Sequence, residues 1–419
     1  MLKKILTSIV VMASLVMIQL PTASHAVAAG AQKEKKKRQT HLVGPSVGKK
    51  VGKAFELYSA DDIDGALAIL LDVRTKKTYD TAYLSYFIGQ MYAAKGKEEK
   101  NSIEYLSKAV DADVLNTPDQ AGGLKLIADL QLQTQDYANA VKHYQAWMDF
   151  TGKEDGNTWF KIAQCYYQLK ELGKVIAPAN KAIALQKAKP KQNPYILKIA
   201  SYHERKMYQK GVNVLEAVVQ VFPEEKRWWT QLGMFYMLVE NYPKALATLQ
   251  LAYKQGYLEK ASEIKTLANL YQSNEIPYQA ALLLEKHIAS GLIKRDDQNV
   301  SRLANAWHAA QQIDKAAKYY GELAKMTGKA KHYRKTGMLL KQDEQFSKAI
   351  VAFKKALDKG EKSKGRIQMA LAESYFYLGK YKKAYAAIKK AMKDPKTRRG
   401  AKGWVSFIRD TAQRKGVSI

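Results

Sequence analysis

Trp229, Leu232, Gly233 and Tyr236 stand at i, i+3, i+4 and i+7, the spacing of one helix face. A polar break at Asn241-Tyr242-Pro243 follows, and Ala245, Leu249 and Ala252 then repeat i, i+4, i+7. The pattern predicts two amphipathic helices folded back on each other. It recurs along nearly the whole chain; near the far end Leu371, Ala372 and Tyr375 are followed by Ala384, Ile388 and Ala391. The small residue opening each second helix gives a register: Ala66, Ser102, Ala140, Val175, Gly211, Ala245, Ala280, Ala316, Ala349 and Ala384. Successive marks lie 33 to 38 residues apart.

A larger residue usually follows four positions after each mark, among them Leu70, Leu106, Tyr144, Leu249 and Phe353. Small residues suit helix crossings, and bulky ones fill the gap towards the next hairpin. The 26 tyrosines therefore read as repeat core and not as a stacking platform or cofactor box. Two units depart from the pattern. The turn of unit two carries an extra residue in the run Lys97-Glu98-Glu99-Lys100. In unit four Pro178 falls inside the second helix, which predicts a kink or a late start. Pro190 and Pro194 bracket a long link to unit five, so residues 170–195 are the expected place for a hinge.

This period and residue pattern resembles the tetratricopeptide repeat, a helical hairpin of about 34 residues. The resemblance implies an all-α fold: a right-handed superhelical solenoid of about ten hairpins. Trp404, Phe407 and Ile408 with Arg409 and Lys415 predict a further amphipathic helix that caps the last hairpin. The expected organisation is a leader over 1–26, a basic disordered arm over 27–46, the array over 47–395, and a capping helix with a basic tail over 396–419.

Lys3-Lys4, an apolar run from Ile5 to Leu20 and the small residues Ser24 and Ala26 match a cleaved secretory signal peptide, with an uncleaved anchor as the alternative. The run is shorter than the roughly 20 residues that span a bilayer. The expected setting is therefore the periplasm. The formal charge of +30 is concentrated at the ends. Residues 27–53 hold eight basic groups against Glu34, and residues 389–415 hold ten against Asp394 and Asp410. Such ends suit an anionic surface. The leader and the lack of a nucleic-acid module argue against nucleic acid. Cys165, the only cysteine, reads as a buried small hydrophobe.

The chain shows little sign of catalytic chemistry. Gly44-Pro45-Ser46-Val47-Gly48-Lys49-Lys50 is one residue too short between glycines for a phosphate loop, and has Lys50 where Ser or Thr would hold magnesium. The histidines lack metal-ligand spacing, and no nucleophile elbow occurs. No enzyme activity and no cofactor are expected.

Some tetratricopeptide proteins hold an acidic peptide terminus with Lys and Asn one turn apart on one first helix, Asn on the next, and Lys and Arg on the third. At the matching positions this chain has Lys265 and Asn269, then Arg302, then Lys331 and Lys335. Arg302 stands for Asn and Lys335 for Arg; donors are kept, but the bidentate fork is lost at Lys335. A solvated basic groove fits the same residues. The order of leader, basic arm, the opening Gly44 to Glu56 and the array is similar to Gram-negative periplasmic repeat proteins associated with TonB–ExbB–ExbD energy transduction. That resemblance implies a non-enzymatic scaffold in TonB-dependent iron-siderophore transport, with TonB-system or other envelope proteins as partners. The alternative is an envelope-assembly or export factor that binds polysaccharide, peptidoglycan or an anionic membrane surface.

Overall fold

The structure is a computed structural model that describes Arg38 and residues 40–419. The leader and most of the basic arm therefore lie outside the described residues. Those described form twenty-one helices and no strand. They divide into two compact units, the first ending at Glu154 and the second running Asp155–Ile419. The division falls one repeat boundary before the 170–195 link.

The first unit holds three hairpins: α1 (Pro45–Ser59) with α2 (Ile63–Leu71), α3 (Thr78–Lys95) with α4 (Glu99–Asp111), and α5 (Thr117–Gln133) with α6 (Tyr137–Thr151). Gly44 to Lys50, the stretch compared with a phosphate loop, is the cap and first turns of α1, and none of the described residues before it is in a strand. The last described part of the arm is tied down, which corrects the expectation of disorder up to residue 46. Arg38 donates to the carbonyls of Asp113 (3.1 Å) and Leu115 (2.9 Å), pairs with the Asp113 carboxylate and lies over the Phe150 ring. The His41 N–H donates to Asn116, and the Gly44 N–H to Asp80.

The second unit holds seven hairpins: α7 (Gly156–Gln168) with α8 (Ile176–Leu185), α9 (Asn193–Glu204) with α10 (Tyr208–Val221), α11 (Lys226–Leu238) with α12 (Tyr242–Lys254), α13 (Ala261–Ser273) with α14 (Pro277–Ala289), α15 (Asp297–Ala309) with α16 (Ile313–Thr327), α17 (Ala330–Gln342) with α18 (Phe346–Asp358), and α19 (Lys364–Tyr377) with α20 (Tyr381–Ala391). A last helix, α21 (Arg398–Arg414), packs on α20. Within each unit, helices pack chiefly on their chain neighbours, as a stacked repeat requires.

All ten marks are buried, and nine are the fourth residue of their helix. The first helix is held to small residues where it meets the second. A Cβ on Gly89, Gly233 or Gly337 would sit 2.5–2.6 Å from Leu106, Leu249 or Phe353, the bulky residue four after the mark. Each hairpin turn also places one residue in the left-handed region, always five before the mark: Asp61, Lys97, Gln135, Lys170, Lys206, Glu240, Glu275, Gln311, Glu344 and Gly379. In nine turns the N–H after that residue donates to the carbonyl five residues back, at 2.8–3.0 Å, closing a Schellman motif. Unit two is the exception, and there Gly96 and Lys97 are both left-handed.

One detail differs from the sequence reading, and one of its two alternatives at Pro178 is realised. The fully buried indole of unit six is Trp228; Trp229 is half-buried and donates to the Pro223 carbonyl at 2.8 Å. Pro178 produces a late start and not a kink: α8 begins at Ile176, which puts the proline in the first turn, where its missing N–H costs nothing. Cys165 is buried as expected, and burial pushes its thiol up to about 11.

Candidate functional site

The candidate site lies in the second unit, on one side of the first helices α9 to α17. Between α9 and α11 runs an open groove of about 560 Å³, lined by Ile196, Ala200, His203, Arg227, Met234 and Leu238 among others. A smaller recess of about 210 Å³ between α11 and α13 takes Thr230, Gln231, Met234, Ser262 and Thr266. Gln231 and Met234 line both, so the two recesses adjoin. The α9–α11 end is apolar and open to solvent, with Met234 49% and Leu238 43% exposed.

The repeat register carries this side onward. Gln231 of α11 corresponds to Thr266, Arg302 and Lys335, and Met234 to Asn269, Asn305 and Met338. Arg227 corresponds to Ser262 and Lys331, and Thr230 to Lys265 and Arg334. The five candidates therefore occupy groove-side positions: Lys265 and Asn269 one turn apart on α13, Arg302 on α15, and Lys331 and Lys335 one turn apart on α17. Asn269 and Lys331 are exposed; the other three are half-buried. None of the four cations is in an ion pair among the described residues.

Lys335 is the most constrained. Its Nζ lies 3.2 Å from His308 Nε2 and 5.7 Å from the Tyr320 ring centre. Burial, and then the neighbouring Arg334, lower its pKa, while burial and Lys335 lower that of His308. At neutral pH the uncharged imidazole is thus an acceptor for the ammonium. An unpaired, part-desolvated cation gains more from an incoming carboxylate than a fully hydrated one does.

Several groove-side contacts escaped the sequence. Asn305 accepts from Tyr320, Arg334 pairs with Glu361 at 3.3 Å, and Lys341 pairs with Glu373. These fix neighbouring polar groups to the repeat itself and leave Lys265, Arg302 and Lys331 as the unpaired charges. The apolar end did leave a trace: α11, Lys-Arg-Trp-Trp-Thr-Gln-Leu-Gly-Met-Phe-Tyr-Met-Leu, is apolar almost all round from Leu232 onward. A helix of that kind buries more than one stripe.

Hairpins of two helices, a crossing of small residues at a fixed offset and a terminal covering helix define a tetratricopeptide-like array of the α-solenoid class. No family model and no curated protein matches the chain. Among solved structures, the C-terminal part of a TPR repeat-containing protein from Cytophaga hutchinsonii is similar at 16% identity, over 65% of this chain and 96% of that one, with a TM-score of 0.36. MamA from Desulfovibrio magneticus is similar at 16% identity over 42% and 94%, TM-score 0.33. YrrB, described as a TPR protein with an unusual peptide-binding site, is similar at 16% identity over 45% and 97%, TM-score 0.34. These likenesses concern the fold alone.

Proposed function

We propose that this chain is a non-enzymatic scaffold that holds an extended protein segment along the groove side of α9 to α17. The observation that carries the reading is the gradient along one side of successive first helices. Open apolar surface at Ile196, Met234 and Leu238 gives way to Ser262 and Thr266, and then to the unpaired cations Lys265, Arg302 and Lys331. A segment with apolar side chains at one end and carboxylates at the other satisfies both. Apolar burial supplies the affinity, and charge sets direction and on-rate.

The setting we propose is the periplasm, as an accessory of a TonB-dependent siderophore transport system, with a TonB-system protein as the bound segment. The leader-like 1–26 and the order of parts support that setting. Lys265→Glu with Lys331→Glu is expected to weaken capture of such a segment roughly tenfold or more, with a reduced on-rate. Crosslinking in the periplasm and growth under iron limitation measure it. Normal growth of a deletion strain on every siderophore would remove the TonB assignment. Unchanged capture of an acidic apolar peptide by the double variant and by Met234→Asp would remove the groove itself.

A further inference from the structure

The second unit ends differently from the way its hairpins stack. α21 packs on α20, with Ala401, Ile408 and Ala412 buried, and its other side is exposed among the described residues. The uncovered side is neither plainly polar nor plainly apolar. Phe407 is 49% exposed and Tyr377, at the end of α19, is 61% exposed, the highest value among large hydrophobic residues from α1 onward. They belong to one aromatic cluster: Phe376 lies 5.0 Å from Phe407, 5.7 Å from Trp404 and 5.7 Å from Tyr377, ring centre to ring centre. Phe407 also lies 5.6 Å from Trp404 of its own helix, ring centre to ring centre, and the Cβ position of Gly403 meets nothing within 4 Å.

The same end of the second unit carries many exposed cations. Arg398, Arg399, Lys402, Arg409, Arg414 and Lys415 are all exposed on or beside α21, and Lys380, Lys382 and Lys383 on the neighbouring turn. None of them pairs with a carboxylate among the described residues. Of the two acids in 389–415, Asp394 is occupied in accepting the Lys396 N–H at 2.9 Å, which leaves Asp410.

We propose that the α19–α21 end docks on the surface of a bilayer containing anionic phospholipid. A Tyr ring settles at the headgroup level with its hydroxyl in water, an exposed Phe enters the apolar boundary below it, and clustered Lys and Arg are drawn to anionic headgroups. The seating is shallow, since no described helix is long and apolar enough to cross a membrane. A second copy docked through the same face would bring two uncompensated basic ends together, which charge opposes. This inference does not depend on the groove reading, because no residue is shared.

The chain from Val27, which retains every described residue, is tested by flotation with vesicles of phosphatidylcholine alone and of equimolar phosphatidylcholine and phosphatidylglycerol. Binding is expected only to the mixed vesicles. Reversing Arg398, Arg399 and Lys402 to Glu is expected to weaken it roughly a hundredfold. Phe407→Ser with Tyr377→Ser is expected to weaken it about tenfold or more. Both aromatic positions are exposed, and unchanged thermal unfolding verifies the fold of each variant. Equal binding to both vesicle types, or no binding, overturns the proposal. So does mixed-vesicle binding insensitive to the aromatic pair, since that is attraction to any polyanion. Equal binding of duplex DNA or an acidic protein, lost in the same variants, assigns the face to that partner instead.

Discussion

In hairpin six, α12 begins at Tyr242, three residues before the buried Ala245; in hairpin four, α8 begins at Ile176, one residue after the buried Val175. Yet both turns are built alike. Lys170 and Glu240 are left-handed at φ 60° and 57°, and the following N–H donates to Tyr166 or Tyr236 five residues back. The packing behind them is unequal. Ala245 and Leu249 belong to a core that runs from Ile199 to Leu339, whereas Ala163, Val175 and Ala179 form a small cluster with Tyr166, Tyr167 and Leu197 at its edge. The turn and its buried mark therefore set the repeat, and the second helix forms around them as far as its residues permit. Pro178 removes the first turn of that helix without moving the mark.

The largest expected effect breaks the better-packed hairpin. Gly233→Leu drives its side chain into Leu249, which a Cβ alone would approach to 2.5 Å. Overpacking of this kind costs about 3 kcal/mol, read as a lower denaturation midpoint. The second prediction sharpens the contrast. Amides of α8 are expected to exchange through openings about 2 kcal/mol cheaper than those of α12, by native-state hydrogen exchange. Equal protection would mean that the small cluster is as cooperative as the large one.

A third concerns pH. Tyr236 donates to Glu216 at 2.5 Å, and burial, then that carboxylate, push its pKa up to about 12 from 10.0. Folding favours the neutral phenol, so its contribution is whole below pH 10.0 and is lost as pH rises towards about 12. Chemical denaturation across that window is expected to show falling stability, less steeply in Tyr236→Phe. Fourth, Glu240→Gly and Lys170→Gly are each expected to raise stability by about 0.5 kcal/mol, because glycine escapes the left-handed penalty but gives part of it back in entropy. Opposite signs at the two sites would show that the turns are not equivalent. The smallest effect is that of Lys254→Ala, exposed at the end of α12, where a few tenths of a kcal/mol are expected.

The hairpins were legible because steric demand at a crossing leaves a trace in residue size, as at Gly233 and Ala245. The turns were not, because nine of the ten left-handed residues are Asp, Lys, Gln or Glu and only Gly379 carries the usual mark. Trp228 and Trp229 are equally apolar in sequence, and only the angle at which α11 meets its neighbours decides which is buried. For the groove, register alone placed Lys265, Asn269, Arg302, Lys331 and Lys335 on one side. What it could not supply is which neighbouring charges are already satisfied: the pairs Arg334–Glu361 and Lys341–Glu373 join residues 27 and 32 apart.

The fixed distance of five residues from left-handed turn to buried mark has a consequence for how such a chain changes length. Spacing between units varies from 33 to 38 residues, yet none of that variation falls inside the five-residue interval. The variation falls elsewhere, in links of two to seven residues between hairpins and in helices of 9 to 18 residues. Those links are the natural cutting points of the molecule. A whole module excised or duplicated from one link to the following one keeps every ruler intact, whereas a single residue added between Glu240 and Ala245 rotates the second helix by about 100° and turns its apolar stripe to solvent.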